Sequence, residues 1–171
     1  MACEQFSRLP GVAVAPIIRP STPRRDVVVL YASTYGTTRA VVKRLAELAQ
    51  FPFDCFDVKD IDDAAVLQHY RLFLFFAPTY GNEELQPDME RFLINVPLDM
   101  SDKWYAVCEL GNYYGFDTEF GAMKIMRHHL QQWCGKELIG PLSMDTLPKR
   151  DWQAFTIWCE RLNAVLRDHH D

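Results

Sequence analysis

The sequence predicts an α/β fold in which a doubly wound parallel sheet of five strands carries helices on both faces. Strand-like and helical runs alternate from Asp26 onward, and such βα units form parallel sheets covered on both sides. The first strand-like run, Val27–Leu30, is apolar and β-branched, as expected of a strand buried on both faces. The 171 residues, of which 49% are apolar, are enough for the core of one domain.

The predicted elements follow one another as five strand–helix pairs. Each strand is a short run rich in apolar, aromatic or β-branched residues, and the strands are Val27–Tyr31, Phe53–Asp57, Leu72–Ala77, Trp104–Leu110 and Leu138–Leu142. Each helix repeats apolar residues three or four positions apart, and the helices are Arg39–Gln50, Asp62–Gln68, Pro87–Asn95, Glu119–Trp133 and Trp152–Leu166. Ligands of such sheets bind beyond the carboxyl ends of the strands, so the loops after the first, third and fourth strands form the candidate site.

Residues 1–25 differ in composition from the rest of the chain. They contain four prolines and four arginines with little periodicity, which predicts an extended or disordered N-terminal arm before a single domain over residues 26–171. The five cysteines are scattered without a CxxC pair, which argues against disulfides or a metal site and favours a reducing, cytoplasmic compartment. The arginine-rich arm leaves import into an organelle as an alternative.

Charge is distributed unevenly along the chain. Residues 54–119 carry fourteen Asp and Glu against four Lys and Arg, a net charge of −10, whereas the whole chain carries −5. An acidic segment disfavours nucleic acid and anionic membranes as partners and suits steering toward a basic protein surface. A surface that is acidic and merely solvated is the alternative.

A hydroxyl-rich turn follows the first strand directly. It consists of Ser33, Thr34, Tyr35, Gly36, Thr37 and Thr38 and leads into the first helix. Free backbone N–H groups and the positive end of the helix dipole make such a turn an anion site, and the hydroxyls add neutral donors. The turn contains no Lys or Arg, which argues against a nucleotide P-loop and suits a phosphate monoester. A simple helix cap rich in Ser and Thr is the alternative.

Two further loops at the same predicted edge combine glycine, amide and aromatic residues. The first reads Pro78-Thr79-Tyr80-Gly81-Asn82-Glu83-Glu84-Leu85-Gln86, and the second reads Gly111-Asn112-Tyr113-Tyr114-Gly115-Phe116. Aromatic faces together with backbone donors and acceptors suit a flat heteroaromatic ring with a polar rim. The hydroxyl-rich turn of residues 33–38 is called the phosphate turn below. Together with the two loops, it predicts one site for a phosphorylated ring compound.

From about Asp26 to Asp168 the sequence resembles the flavodoxin family of FMN-binding electron carriers. The phosphate turn resembles the family's Ser/Thr-x-Thr-Gly-x-Thr, residues 79–86 resemble Thr-Trp-x-x-Gly-Glu-Leu-Gln, and residues 111–116 resemble Gly-Asp-x-x-Gly-Tyr. The resemblance implies that the cofactor is bound by Ser33, Thr34, Tyr35, Gly36, Thr37, Thr38, Pro78, Thr79, Tyr80, Gly81, Asn82, Leu110, Gly111, Asn112, Tyr113, Tyr114, Gly115 and Phe116. It also implies the strand order 2-1-3-4-5, for which flavodoxin is the standard example, in the family's short-chain form.

All three motifs depart from the family pattern. Tyr35 replaces a hydroxyl amino acid, which leaves the backbone donors intact and puts a bulky group at the mouth of the turn. Tyr80 stands where a stacking tryptophan is usual, and Asn112 stands where aspartate is usual. Phe116 replaces the second stacking tyrosine, so either Phe116 or Tyr114 is expected to stack on the flavin.

The resemblance implies a low-potential carrier that passes single electrons between redox proteins, with FMN as cofactor and no catalytic residues. Its partners would be a reductase and an acceptor with basic docking patches, and the protein itself would be monomeric. The flavin rim would lie among the acidic residues Glu83, Glu84, Asp88, Asp117 and Glu119. Two alternatives stay open, namely a small FMN-dependent NAD(P)H:quinone reductase and a non-redox interaction domain that has lost FMN.

Overall fold

The computed structural model describes residues 25–80, 84–111, 121–146 and 150–169. The strands are β1 (Val27–Tyr31), β2 (Asp54–Asp57), β3 (Leu72–Tyr80), β4 (Glu84–Leu85), β5 (Trp104–Gly111), β6 (Lys136–Glu137) and β7 (Leu142–Asp145). The α-helices are α1 (Thr37–Leu48), α2 (Pro87–Asn95), α3 (Gly121–Gln132) and α4 (Trp152–His169), and two 3-10 helices cover Val58–Asp60 and Ala64–Leu67. The predicted N-terminal arm, apart from Arg25, lies outside the described residues.

The parallel strands form a doubly wound sheet in the order β2-β1-β3-β5, with β6 and β7 both alongside β5. In the middle of the sheet Val29 pairs with Cys55 on one side and with Leu74 on the other. With β5 as the fourth parallel strand and β6 and β7 as the fifth, this arrangement confirms the predicted α/β fold and its order 2-1-3-4-5. The short β4 is an antiparallel addition to the end of β3.

Alternating residues of the central strands build two separate cores. Val28, Leu30 and Phe75 contribute to the core that includes residues of α2 and α3. Val29 and Phe76 contribute to the core that includes residues of α1 and α4. Each strand is therefore buried on both faces, which is the reason for its nearly continuous apolar sequence.

The fifth predicted strand differs from the observed one. Residues 138–142 were expected to pair throughout, but the pairing is divided between β6 and β7. Gly140 and Pro141 lie in the interruption, and proline has no N–H group to donate to a strand ladder. The Gly140 carbonyl instead accepts a hydrogen bond from Trp158 Nε1 at 3.0 Å, which connects the interruption to α4.

The third strand continues beyond its predicted end at Ala77. Pro78 lies within β3 and pairs with Leu110, while Thr79 pairs with Leu85 of β4. A proline usually signals the end of a central strand, because it has no N–H group to donate to the neighbouring strand. For this reason the sequence predicts a loop here. The candidate-site residues after Ala77 therefore begin on a strand, which fixes them more firmly than a loop would.

The predicted helix over residues 62–68 is replaced by the 3-10 helix Ala64–Leu67, and the other 3-10 helix, Val58–Asp60, precedes the predicted range. Asp57 accepts a hydrogen bond from the Lys59 N–H at 3.1 Å, and Asp63 accepts one from the Ala65 N–H at 2.9 Å. Both aspartates are N-cap residues, so each caps the start of one of these short turns.

The remaining helices match their predictions apart from their ends. Helix α2 has the predicted bounds, α1 begins two residues earlier at Thr37, and α4 extends to His169. Helix α3 is described from Gly121, because the two residues predicted to precede it lie outside the described part. None of the helices in the described ranges is long and apolar enough to span a membrane.

Arg25 fixes the start of the described chain against β2. Its Nη1 donates to the Phe53 carbonyl at 2.8 Å and lies 3.4 Å from Asp54 Oδ1. The Tyr70 hydroxyl donates to the other carboxylate oxygen of Asp54. Because Asp54 begins β2, this buried carboxylate lies at the amino end of the parallel sheet, opposite the carboxyl edge where ligands bind.

Candidate functional site

A pocket of about 260 Å³ opens at the carboxyl edge of the sheet. It lies where the chain leaves β1 and β3 toward opposite faces of the sheet, which is the switch point at which doubly wound folds bind ligands. The described residues that line it are Ser33, Thr34, Tyr35, Thr37, Thr38, Pro78, Thr79, Leu110, Gly111 and Thr146. The structure thus brings together residues from all three loops that the sequence singled out.

The turn between β1 and α1 depends on the backbone conformation of Gly36. Gly36 has φ of 86°, a left-handed conformation, and its N–H donates to Ser33 Oγ at 3.1 Å. No side chain caps the start of α1, and the helix ladder begins with the Ala40 N–H bonded to the Gly36 carbonyl. The preceding N–H groups at the start of α1 are therefore available to an anion, and the helix dipole favours negative charge there.

We expect Gly36→Ala to lower the free energy of unfolding by about 1–2 kcal/mol, the cost of a left-handed conformation for an ordinary residue. No atom lies within 4 Å of the position that the new methyl group would occupy, so the loss comes from backbone strain and not from a clash. Urea unfolding of the purified variant and of the wild-type protein measures it.

Gly140→Ala is the matched control, because Gly140 also has open space around the added methyl group but no left-handed φ. It should leave stability unchanged or raise it slightly. Equal stability of the two variants would contradict the role assigned to the Gly36 conformation.

Gln86 connects the phosphate turn to α2. Its Nε2 donates to Thr34 Oγ1 at 3.2 Å, and its Oε1 accepts the Met89 N–H at 3.0 Å and so caps α2. Only 2% of Gln86 is exposed, which gives Thr34 a fixed neighbour. Because the Thr34 oxygen accepts from Gln86, the Thr34 proton can point to a ligand. Gln86 belongs to the second sequence motif, but the sequence alone gives no sign of this contact with Thr34.

The pocket has no charged residue among its described lining. Arg39, in the first turn of α1, approaches Asp57 instead, with 3.9 Å between Nη2 and Oδ2. Its hydrogen bond with the Tyr31 hydroxyl is the main factor that raises the pKa of the Arg39 guanidinium. Burial raises the pKa of Asp57 and of Tyr31. Arg39, the cation nearest to the turn in the sequence, therefore pairs with Asp57 beside the pocket. The described lining of the pocket is left with neutral donors for an anion.

Thr79 joins the pocket to a buried carboxylate. Its hydroxyl donates to Glu109 Oε2 at 2.9 Å and accepts the Ala122 N–H at 3.3 Å. Glu109 has no exposed surface, and it also accepts from Ser143 Oγ and from the Met123 N–H, each at 2.9 Å. Sequence reasoning missed Glu109, because its position inside an apolar strand gave no sign of these partners.

Thr146 is a pocket residue that the sequence did not predict. Its N–H donates to the Gly111 carbonyl at 2.8 Å, and its hydroxyl donates to the same oxygen at 3.1 Å. It directly follows β7 at the carboxyl edge. The rule that ligands bind beyond strand ends could have identified it, but the sequence predicts the end of the fifth strand at Leu142, three residues before its observed end at Asp145.

Of the other predicted site residues, some belong to the described part of the chain and some do not. Gly36 forms the turn without lining the pocket, and Tyr80 ends β3. Gly81, Asn82 and residues 112–116 lie outside the described ranges, so their part in the site stays a prediction. Among the predicted acidic rim residues, Glu84 is exposed on β4, and Asp88 pairs with Arg91 at 3.2 Å.

A family comparison decides what kind of protein has this fold and pocket. The sequence matches the family described as Flavodoxin over residues 29–158, which is most of the chain and includes the phosphate turn, Thr79 and Gly111. The chain belongs to the flavodoxin family. Membership implies an FMN-binding electron carrier in general terms, and the donors of the pocket are compatible with a flavin phosphate.

Solved flavodoxin structures have the same fold. Oxidised Flavodoxin 1 from Bacillus cereus is 21% identical with a TM-score of 0.66, and the match covers 84% of this chain and 97% of that one. The flavodoxin of Streptococcus pneumoniae TIGR4 is 20% identical with a TM-score of 0.64 over 81% and 97% of the two chains. A C101S flavodoxin of Pseudomonas aeruginosa is 20% identical with a TM-score of 0.68 over 82% and 98%.

Proposed function

We propose that this flavodoxin holds the phosphate of FMN at the turn of residues 33–38 and carries single electrons between redox proteins. The observation that carries the proposal is the start of α1, which has no side-chain cap and faces a pocket lined by hydroxyl groups. The free N–H groups and the Thr34 and Thr38 hydroxyls supply several donors to one phosphate group. Such an arrangement suits a monoester without a metal ion or a lysine.

The ring of FMN would lie toward the β3 and β5 side of the pocket. Pro78, Thr79, Leu110 and Gly111 form this part of the lining and offer backbone groups at the ends of two adjacent strands. Residues 80–82 and 112–116 continue from these strand ends, and their aromatic side chains are proposed to stack on the two faces of the ring. When bound, FMN supplies the one- and two-electron chemistry, while the protein orients the ring and limits access of water.

The visible absorption spectrum of the purified protein tests FMN binding. We expect a yellow protein, or an apoprotein that becomes yellow and more heat-stable with FMN at about one per chain. A colourless protein that shows no thermal shift with FMN would favour the interaction domain that has lost its cofactor. Rapid steady-state NAD(P)H oxidation with a quinone by the loaded protein would instead favour the reductase alternative.

We also propose that basic partner proteins dock at the acidic surface beside the pocket. Glu84 is exposed, and it lies next to the sequence-predicted rim residue Glu83. Attraction between opposite charges raises association rates more than final affinity, and salt screens exposed charges beyond ~8 Å at 0.15 M. Electron exchange with a partner should therefore slow as ionic strength rises.

Replacing Glu83 and Glu84 with glutamine should flatten this salt dependence and leave the flavin spectrum nearly unchanged. Stopped-flow reduction by a flavodoxin reductase over a series of salt concentrations is the measurement. Glu160→Gln is the matched control, because Glu160 is an exposed carboxylate on α4 and is absent from the pocket lining. A wild-type salt response in the double variant, or the same flattening in the control, would overturn docking at this surface.

A further inference from the structure

Glu109 is a buried acid that is joined to the pocket through one side chain, Thr79. It lies on β5 with no exposed surface, and its partner Thr79 lines the pocket. Within the described part of the chain, its carboxylate connects three elements besides its own strand. Thr79 is on β3, Ser143 is on β7 and Met123 is in the first turn of α3. Removal of this acid would therefore disturb Thr79, which lines the ring end of the pocket, and would release its bonds to β7 and to the start of α3.

The hydrogen bonds to Glu109 favour its ionised form. The Thr79 oxygen already accepts the Ala122 N–H, so its own proton is directed to Glu109 Oε2. The Met123 N–H can only donate, and it reaches the same oxygen, while the Ser143 hydroxyl donates to Oε1. Donors directed at both oxygens stabilise a carboxylate, and the positive end of the α3 dipole adds to this effect.

On the basis of the FMN site proposed above, we propose that ionised Glu109 is a positioning residue that also lowers the reduction potential of the flavin. It accepts hydrogen bonds from Thr79 and from the Met123 N–H and so holds Thr79 and the start of α3 in place. Reduction adds negative charge to the flavin, so a buried anion one side chain away from the pocket opposes it. A buried anion acts strongly because water does not screen it.

Glu109→Gln separates the charge from the hydrogen bonds. The glutamine oxygen can accept from Thr79 and Met123, and its amide can donate to the Ser143 hydroxyl, so the network can persist without the charge. We expect FMN still to bind, with the preference for reduced over oxidised FMN raised about tenfold. Such a change corresponds to a rise of about 30 mV in the two-electron potential. Redox titration against dyes of known potential measures it.

Two controls test whether the position of the charge matters. Asp54→Asn removes a buried carboxylate at the opposite edge of the sheet and should leave the potential unchanged. Ser143→Ala removes one hydrogen bond to Glu109 but keeps the charge, so its potential should stay much closer to wild type. An unchanged potential in Glu109→Gln, or an equal shift in Asp54→Asn, would overturn the proposal.

A measurement on the unmodified apoprotein covers the case in which Glu109→Gln does not fold. With ¹³C in the glutamate carboxyl groups, every resonance at pH 7 should have the chemical shift of an ionised carboxylate. A resonance in the range of the neutral acid at that pH would overturn the assigned charge. Wild-type protein that takes up no FMN would contradict the proposed function itself, whereas FMN binding with an unchanged variant potential contradicts only the role of Glu109.

Discussion

Replacing both Thr34 and Thr38 with valine is expected to raise the Kd for FMN by about two to four orders of magnitude. Each lost hydrogen bond to a charged group costs ~1.5–3 kcal/mol, and every 1.4 kcal/mol corresponds to about a factor of ten in affinity. Riboflavin, which lacks the phosphate, should lose less than about threefold. Fluorescence titration of the apoprotein with the two compounds measures both constants.

The structure gives both threonines the geometry that this result requires. Thr34 is exposed in the pocket and accepts from Gln86, so its proton is free for a phosphate oxygen. Thr38 lines the pocket in the first turn of α1 although only 1% of the residue is exposed. Valine keeps the shape and β-branching of threonine, so the substitutions mainly remove hydroxyl groups.

Thr156→Val is the control for loss of a hydrogen-bonded threonine hydroxyl at a partly buried position. That hydroxyl donates to the Trp152 carbonyl at 2.8 Å on α4, and the residue is absent from the pocket lining. It should change neither constant. If the double variant raised the Kd for FMN and the Kd for riboflavin by the same factor, the phosphate would have to bind away from this turn.

Phe76→Ala is expected to lower the free energy of unfolding by about 3–5 kcal/mol, in the range measured for large aromatic side chains in protein cores. Phe76 has no exposed surface and lies on β3 between two parallel neighbours. Its ring contacts those of Phe155 and Trp158, with centroid distances of 6.4 and 5.9 Å. The cavity would weaken the contact of α4 with the sheet. Urea unfolding of the apoprotein measures the loss.

Ile157→Ala is the matched control on α4, because 51% of that isoleucine is exposed. It should cost less than about 1 kcal/mol, since most of its surface already contacts water. Phe76 is also absent from the pocket lining, so at low temperature the folded Phe76→Ala variant should bind FMN nearly as wild type does. A loss in Phe76→Ala as small as that of the control would contradict the assignment of this residue to the core.

Local patterns in the sequence are sufficient to predict the central architecture. Val27–Leu30 and the run around Phe76 are apolar at every position, because both faces of these strands are buried. Helix α2 has its predicted start because Pro87 marks its first turn. The hydroxyl-rich turn is equally local, since the end of β1 at Tyr31, Gly36 and the start of α1 at Thr37 lie within seven residues.

Features that depend on distant partners could not be predicted in this way. Glu109 is inside an apolar run, and only the fold brings Thr79, Ser143 and the start of α3 to its carboxylate. Gln86 acquires its position from Thr34, which lies 52 residues away along the chain. Pro78 continues β3 because the residues that follow it, Thr79 and Tyr80, pair with β4. The turn propensity of a proline, read from the sequence alone, does not reveal this pairing.

A crystal structure of this protein with FMN is the most direct test of the phosphate site. We expect the phosphate oxygens within hydrogen-bonding distance of the first N–H groups of α1 and of the Thr34 and Thr38 hydroxyls. The ring should extend from there toward Thr79 and Gly111. An FMN molecule whose phosphate lies away from the turn of residues 33–38 would contradict the proposed site.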